Sequence, residues 1–250
     1  MPRYGGVVAV ASLSLEARIA QGPGVSVLCN QSWQLSAPLE AAIARGASGI
    51  ISFGIAGGLA PNLVAGDWIV ASGVRNGMDV IATDYAWTQN LLEAIPDAIR
   101  AEVVGVDTLL MGPLEKSRVH AQTGAVAVDM ESHIAAKIAF AHRVPFAACR
   151  VIIDAADRTL PPAAAVGLRW DGTPDVLAVF CSVLQKPGQL PDLIRTALDA
   201  RRACRALRLG RKQLGAGFGL PDYKKVALGL AISPQGRGAL MKSGSFATVS

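Results

Sequence analysis

Residues 124–157, GAVAVDMESHIAAKIAFAHRVPFAACRVIIDAAD, limit the fold more than any other stretch of the chain. A short apolar run, Val126 to Val128, stops at Asp129-Met130-Glu131. The spacing then predicts a helix with Met130, Ile134, Ile138 and Ala141 on one face. Pro145 opens a second run, Phe146 to Ile153, too apolar for a strand with one wet side, and it stops at Asp154. Strand, helix, strand, with an acid where each strand ends, is the grammar of an α/β sheet that binds ligands outside its strand ends. Glu131 and Asp154 are therefore the two acids to follow.

The rest of the chain repeats that grammar. Strands are expected at 6–12, 25–29, 50–53, 68–71, 78–82 and 102–106, the fourth and fifth paired antiparallel. Helices are expected at 13–20, 38–44, 86–100 (interrupted at Pro96), 115–121, 174–184 and 191–209. Pro38 suits a first helical turn, which does not need its N–H. Gly54-Ile55-Ala56-Gly57-Gly58-Leu59 reads as a tight turn in which Gly57 lets a ligand approach the backbone. At 250 residues one core is the better prior, so we expect a single domain over residues 1–220. Residues 221–250 lack periodicity and are expected to form a poorly ordered tail.

Charge narrows the partners. Residues 1–180 carry a net −4 and residues 181–250 a net +9. A mildly acidic body with a basic appendage argues against a nucleic-acid-binding core. Arg195, Arg201, Arg202, Arg205 and Arg208 give the last helix a wet, basic face. No run of about 18 apolar residues predicts a membrane span, and the start lacks a signal-peptide pattern. Cys29, Cys149, Cys181 and Cys204 are scattered without C-x-x-C, as for reduced thiols in a cytoplasmic protein.

Each candidate chemical group also has a plainer reading. At a helix start, the macrodipole would keep Glu131 ionised and able to accept two vicinal hydroxyls; the plain alternative is a charged first-turn residue. Desolvation behind Ile152 and Ile153 would raise the pKa of Asp154 and equip it as a general acid; alternatively it caps a turn. Glu16 could activate water and Arg18 hold an anion, yet both suit the surface of a short helix. The glycine segment is neither a Walker A loop nor G-x-G-x-x-G. His120, His133 and His142 lack ligand spacing, so neither a metal nor a cofactor is expected.

Three segments together, SFGIAGGLAPNLVAGDWIVAS (52–72), AVDMES (127–132) and RVIIDAAD (150–157), resemble the nucleoside phosphorylase/nucleosidase family. In pattern they are similar to methylthioadenosine/S-adenosylhomocysteine nucleosidases. The LEARIAQGPG start, VDMESHIAAK and the Arg-rich final helix look like hopanoid-associated phosphorylases, thought to release adenine from adenosylhopane. The resemblance implies a three-layer α/β/α phosphorylase-like fold with a mixed central sheet, and cleavage of the N-glycosidic bond of a 5′-substituted adenosine. It implies Asp154 as the acid at the purine, Glu131 as the ribose ligand and Met130 packed under the sugar. It also implies Glu16 as the base for water, with Leu109 and Leu110 against adenine. The implied partner is a small nucleoside, with a hydrophobic, membrane-derived one among the candidates, and the implied assembly is a homodimer. Relatives carry serine where this chain has Ile55 and Ile153. A methylthioadenosine/S-adenosylhomocysteine nucleosidase and a non-catalytic nucleoside binder are the alternatives.

Overall fold

The computed structural model describes residues 6–30, 32–161, 188 and 190–222. The expected helix at 174–184, Cys181 and all but the first two residues of the expected tail lie outside these. Among the described residues eight strands form a mixed sheet: β1 Val7–Ala11, β2 Val25–Cys29, β3 Gly49–Gly58, β4 Trp68–Asn76, β5 Asp79–Ala82, β6 Ile99–Gly105, β7 Ala127–Asp129 and β8 Phe146–Asp154. Six α-helices accompany them among the described residues: α1 Ser14–Ala20, α2 Ser36–Ala44, α3 Tyr85–Ala94, α4 Pro113–Thr123, α5 Ser132–Ala141 and α6 Leu190–Gln213.

Because strand side chains alternate, each central strand feeds two cores. Val8, Val10, Ile50 and Ile69 pack with Leu39 and Ala42 of α2 and with Ala135, Ala136 and Ala139 of α5. Val7, Ala9, Ile51 and Val70 pack with Ala20 of α1, Trp87 and Leu91 of α3, and Ala203 and Leu207 of α6. Helices thus cover both faces, and the expected three layers are present. The β4–β5 pair is antiparallel, as the sequence indicates.

The sheet also closes on itself. β8 pairs in parallel with β3 and antiparallel with β4, while β7 and β6 link β3 to β4 by the other route. Closure surrounds nearly all of β8 on both sides, which explains why its residues are apolar apart from Arg150 and the terminal Asp154.

Three expectations need correction. The glycine segment is not a turn: β3 continues through it to Gly58. Its glycines are required by close approach, since a β-carbon on Gly54 would stand 2.4 Å from Glu16 Oε1. The buried face of α5 is Ser132, His133, Ala135, Ala136 and Ala139, with Ile134 and Ile138 at its flank. Alanines let the helix axis approach the sheet, so the larger residues are displaced sideways. Finally, α3 ends at Ala94, before Pro96, and Ile99–Arg100 already belong to β6.

Candidate active site

The register of β3 fixes the site. Gly57 stands opposite Val128 of β7 on one side and Asp154 of β8 on the other. Gly54, three residues back and roughly 10 Å along the strand, stands opposite Arg150. The two acids singled out from the sequence therefore flank the same strand. Asp154 lies at its Gly57 end, and Glu131, just past β7, belongs to a polar cluster around Gly54.

That cluster is buried. Glu16 is 2% exposed, Glu131 4%, Asp129 6% and Arg150 0%. Glu16 Oε2 accepts hydrogen bonds from the Ser12 amide (3.0 Å), the Ser12 hydroxyl (3.2 Å) and the Leu13 amide (2.9 Å). Its Oε1 accepts from the Ile55 amide at 2.7 Å. The reading of Glu16 as an ordinary surface residue is thus overturned, because the start of α1 turns this side chain inward. Arg18 remains exposed and donates back to Ser14 O of its own helix.

Arg150 Nε lies 2.7 Å from Asp129 Oδ2, and Nη2 lies 3.9 Å from Glu131 Oε2. Nη2 also donates to the hydroxyls of Ser52 and Ser132, the latter at 3.1 Å. Asp129 Oδ1 accepts from the amides of Glu131 (3.2 Å) and Ser132 (2.9 Å), holding the first turn of α5. Burial opposes the charge of Arg150, but Asp129, Glu131 and Glu16 outweigh it and hold its pKa above the ordinary arginine value.

Glu131 differs from expectation. It occupies the N-cap of α5, yet its pKa is pushed up to about 8. Burial is the main cause; Arg150 opposes it, and the charges of Asp129 and Glu16 add to it. A helix terminus contributes far less than such desolvation. At neutral pH the side chain keeps a proton, and so both donates and accepts.

Asp154 is 7% exposed, and burial pushes its carboxyl up as expected, partly offset by Lys116. The Lys116 ammonium binds Asp154 Oδ2 directly. Beside Asp154, a cleft is lined by Arg158, Thr159 and Leu160 and by Asp192, Arg195 and Asp199 of α6. Met130 is half-buried at the head of α5. Leu109 is 50% exposed in the loop before α4, while Leu110 packs partly buried against Leu59, Val104 and Val128. Leu160 N donates to Met111 O, joining this loop to the segment after Asp154. Among the described residues no group of His, Cys, Asp and Glu is arranged to hold a metal ion.

Sequence reasoning gave no role to Arg150, Asp129 or Lys116. Arg150 carried a signal: a charge inside a strand buried on both faces must be paired. Lys116 carried none, since nothing in the α4 sequence marks it as inward-facing.

A closed mixed sheet with helices on both faces and a buried acid–arginine cluster beside its strand ends is a site for a small polar ligand. The chain belongs to the phosphorylase superfamily, which it matches over residues 19–167. Solved structures of other proteins share the fold, among them the following three. Futalosine hydrolase of Helicobacter pylori aligns with a TM-score of 0.59 at 14% identity, covering 84% of this chain and 99% of that one. The 5′-methylthioadenosine/S-adenosylhomocysteine nucleosidase of the same organism, solved with butyl-thio-DADMe-Immucillin-A, aligns at 0.58 and 16% identity, covering 84% and 98%. The corresponding nucleosidase of Colwellia psychrerythraea, solved with adenine, aligns at 0.56 and 14% identity, covering 82% and 95%.

Proposed function

We propose that this protein is a purine nucleosidase that cleaves the N-glycosidic bond of a 5′-substituted adenosine and releases adenine. The observation that carries the reading is the register of Gly57 and Gly54, with the buried, Lys116-bound Asp154 at one and the Glu16–Glu131–Arg150 cluster at the other. Asp154 passes its proton to the departing purine, and Glu131 grips the ribose hydroxyls. Glu16 takes the proton of the attacking water, which displaces the Ser12 hydroxyl, the longest of the four bonds to that carboxylate. Acid assistance at the base and negative charge near an oxocarbenium-like sugar both lower the barrier.

Water is favoured over phosphate as the nucleophile. The cluster sets Glu16 and Asp129 against Arg150, whose contacts are already made, with Glu131 holding its proton at neutral pH, so an entering phosphate would still meet net negative charge. Met130, Leu109 and Leu110 are assigned to the sugar and the base by sequence resemblance. The same resemblance, with the exposed arginines of α6, supports adenosylhopane as substrate and a cytoplasmic protein touching the inner membrane face. No described helix is long and apolar enough to cross a membrane. A homodimer is likewise proposed by family resemblance. The alternative substrates are methylthioadenosine and S-adenosylhomocysteine, which the structural neighbours' names favour.

Adenine release from purified protein, with and without phosphate, tests the reading. Asp154→Asn should cost at least about a hundredfold. Retention of activity within a few-fold of wild type would remove Asp154 from the chemistry, and ribose 1-phosphate products would replace water by phosphate.

A further inference from the structure

Lys116 is the one buried residue of α4, a helix otherwise wet, and is 1% exposed. Burying an ammonium is costly unless its donors are matched. Here they are: Nζ donates to Asp154 Oδ2, to Ala155 O at 2.9 Å and to Arg158 O at 3.2 Å. The three bonds thus hold Asp154, the last residue of β8, together with the segment that follows it. The other carboxyl oxygen is left differently. Asp154 Oδ1 has no hydrogen-bond partner among the described residues. It lies 3.5 Å from where a β-carbon on Gly57 would stand, against 3.9 Å for Oδ2, with Val128 Cγ1 nearer at 3.1 Å.

We propose, resting on the nucleosidase reading, that Lys116 is the positioning residue of Asp154: it ties down one carboxyl oxygen, aims the other at the purine and pairs the charge that proton transfer leaves behind. In that step the proton leaves Asp154 for a ring nitrogen of the base, and the C1′–N bond breaks with its electron pair staying on the purine. Water adds to C1′ and gives its proton to Glu16. Asp154 is then a carboxylate in a buried place, and the adjacent ammonium makes that state accessible.

Other charges around Asp154 are largely matched. Asp157 and Arg158 follow it in the chain, both exposed. From α6, Asp192 lies 4.0 Å from Arg195, and Asp199 is 3.0 Å from Arg202. Lys116 on α4 pulls the Asp154 pKa downward against burial, while Asp199 of α6 pushes it up.

The test compares wild type with Lys116→Met, which keeps length without charge. Lys116→Gln, which keeps some hydrogen bonding, serves where the methionine variant does not fold. The Asp154 carboxyl is titrated by carbon-13 NMR, and adenine release is followed against pH. Its titration midpoint should rise by about one pH unit or more in the variant. The alkaline limb of adenine release should move up with it, while kcat at the plateau falls about tenfold or more and KM changes little. A folded variant with an unmoved Asp154 midpoint overturns the proposal, whatever its thermal stability. A wild type that releases no adenine from any nucleoside defeats the nucleosidase reading instead, and the NMR titration still decides whether Lys116 governs Asp154.

Discussion

Arg150 Nε and Asp129 Oδ2 meet at 2.7 Å inside the sheet, where neither side chain is more than 2% exposed. This pair neutralises one of the three buried acids that surround a single guanidinium, Asp129, Glu131 and Glu16. Removing the cation would strand several acids at once. Arg150→Met should cost about 3–5 kcal/mol, the usual penalty for breaking a buried pair from one side. Urea denaturation at pH 7 and pH 5 measures it, and the loss should be smaller at the lower pH, where the stranded acids can take up protons.

Glu131 supplies a pH signature. Its pKa lies near 8 in the folded protein against an ordinary value of 4.5, so between those pH values the folded chain holds a proton that the unfolded chain has lost. Stability linked to this group is fully present below pH 4.5 and falls as pH rises towards 8, by at most about 1.4 kcal/mol per pH unit. Glu131→Gln cannot lose that proton. Its unfolding free energy should be flatter across this window than that of wild type, and parallel curves would show that Glu131 is not the group responsible.

Much of this architecture was legible in the chain, and the exceptions share a cause. β2 and β8, and the acids that end β7 and β8, follow from apolar runs and where they stop, which are local facts. The glycine segment reads as a turn because glycine marks both turns and close approaches, and only the partner across the gap distinguishes them. That partner, Glu16, is 39 residues from Ile55, whose amide it accepts. The place of Glu131 at the head of α5 follows from the sequence, but its charge state does not, because ionisation depends on what surrounds it in space. Lys116 lies 38 residues from Asp154, and nothing along the helix marks it.

Gly54 tests the close-approach reading. A β-carbon there would stand 2.4 Å from Glu16 Oε1 and 2.9 Å from Arg150 Nη1. Glu16 is held by backbone amides and Arg150 by Asp129, so neither can retreat cheaply. Gly54→Ala should cost about 1–3 kcal/mol by overpacking, read from thermal or urea melts. Adenine release should fall further than stability does, since the added methyl separates the two charged groups. A variant with wild-type stability and rate would return this glycine to the status of a spacer.

Phe218 closes the described fold from its far end. Its ring is fully buried, lies 5.0 Å from that of Phe53 and is covered by the Arg211 guanidinium at 4.2 Å. Its carbonyl accepts from Trp87 Nε1 at 2.8 Å, and Arg211 donates to Ala20 O and Gly215 O. Together these bonds join α1, α3 and the end of α6, whose other end lines the cleft at Asp154. Phe218→Ala removes the ring on which the guanidinium rests and should cost about 3–5 kcal/mol. Trp87→Phe keeps the packing but leaves the carbonyl without its donor, for about 1–3 kcal/mol. Because neither residue touches the acids, adenine release per folded molecule should stay near wild type at low temperature and be lost at a lower temperature as the chain unfolds. A rate loss in fully folded Trp87→Phe protein would instead mean that the seating of α6 tunes the cleft.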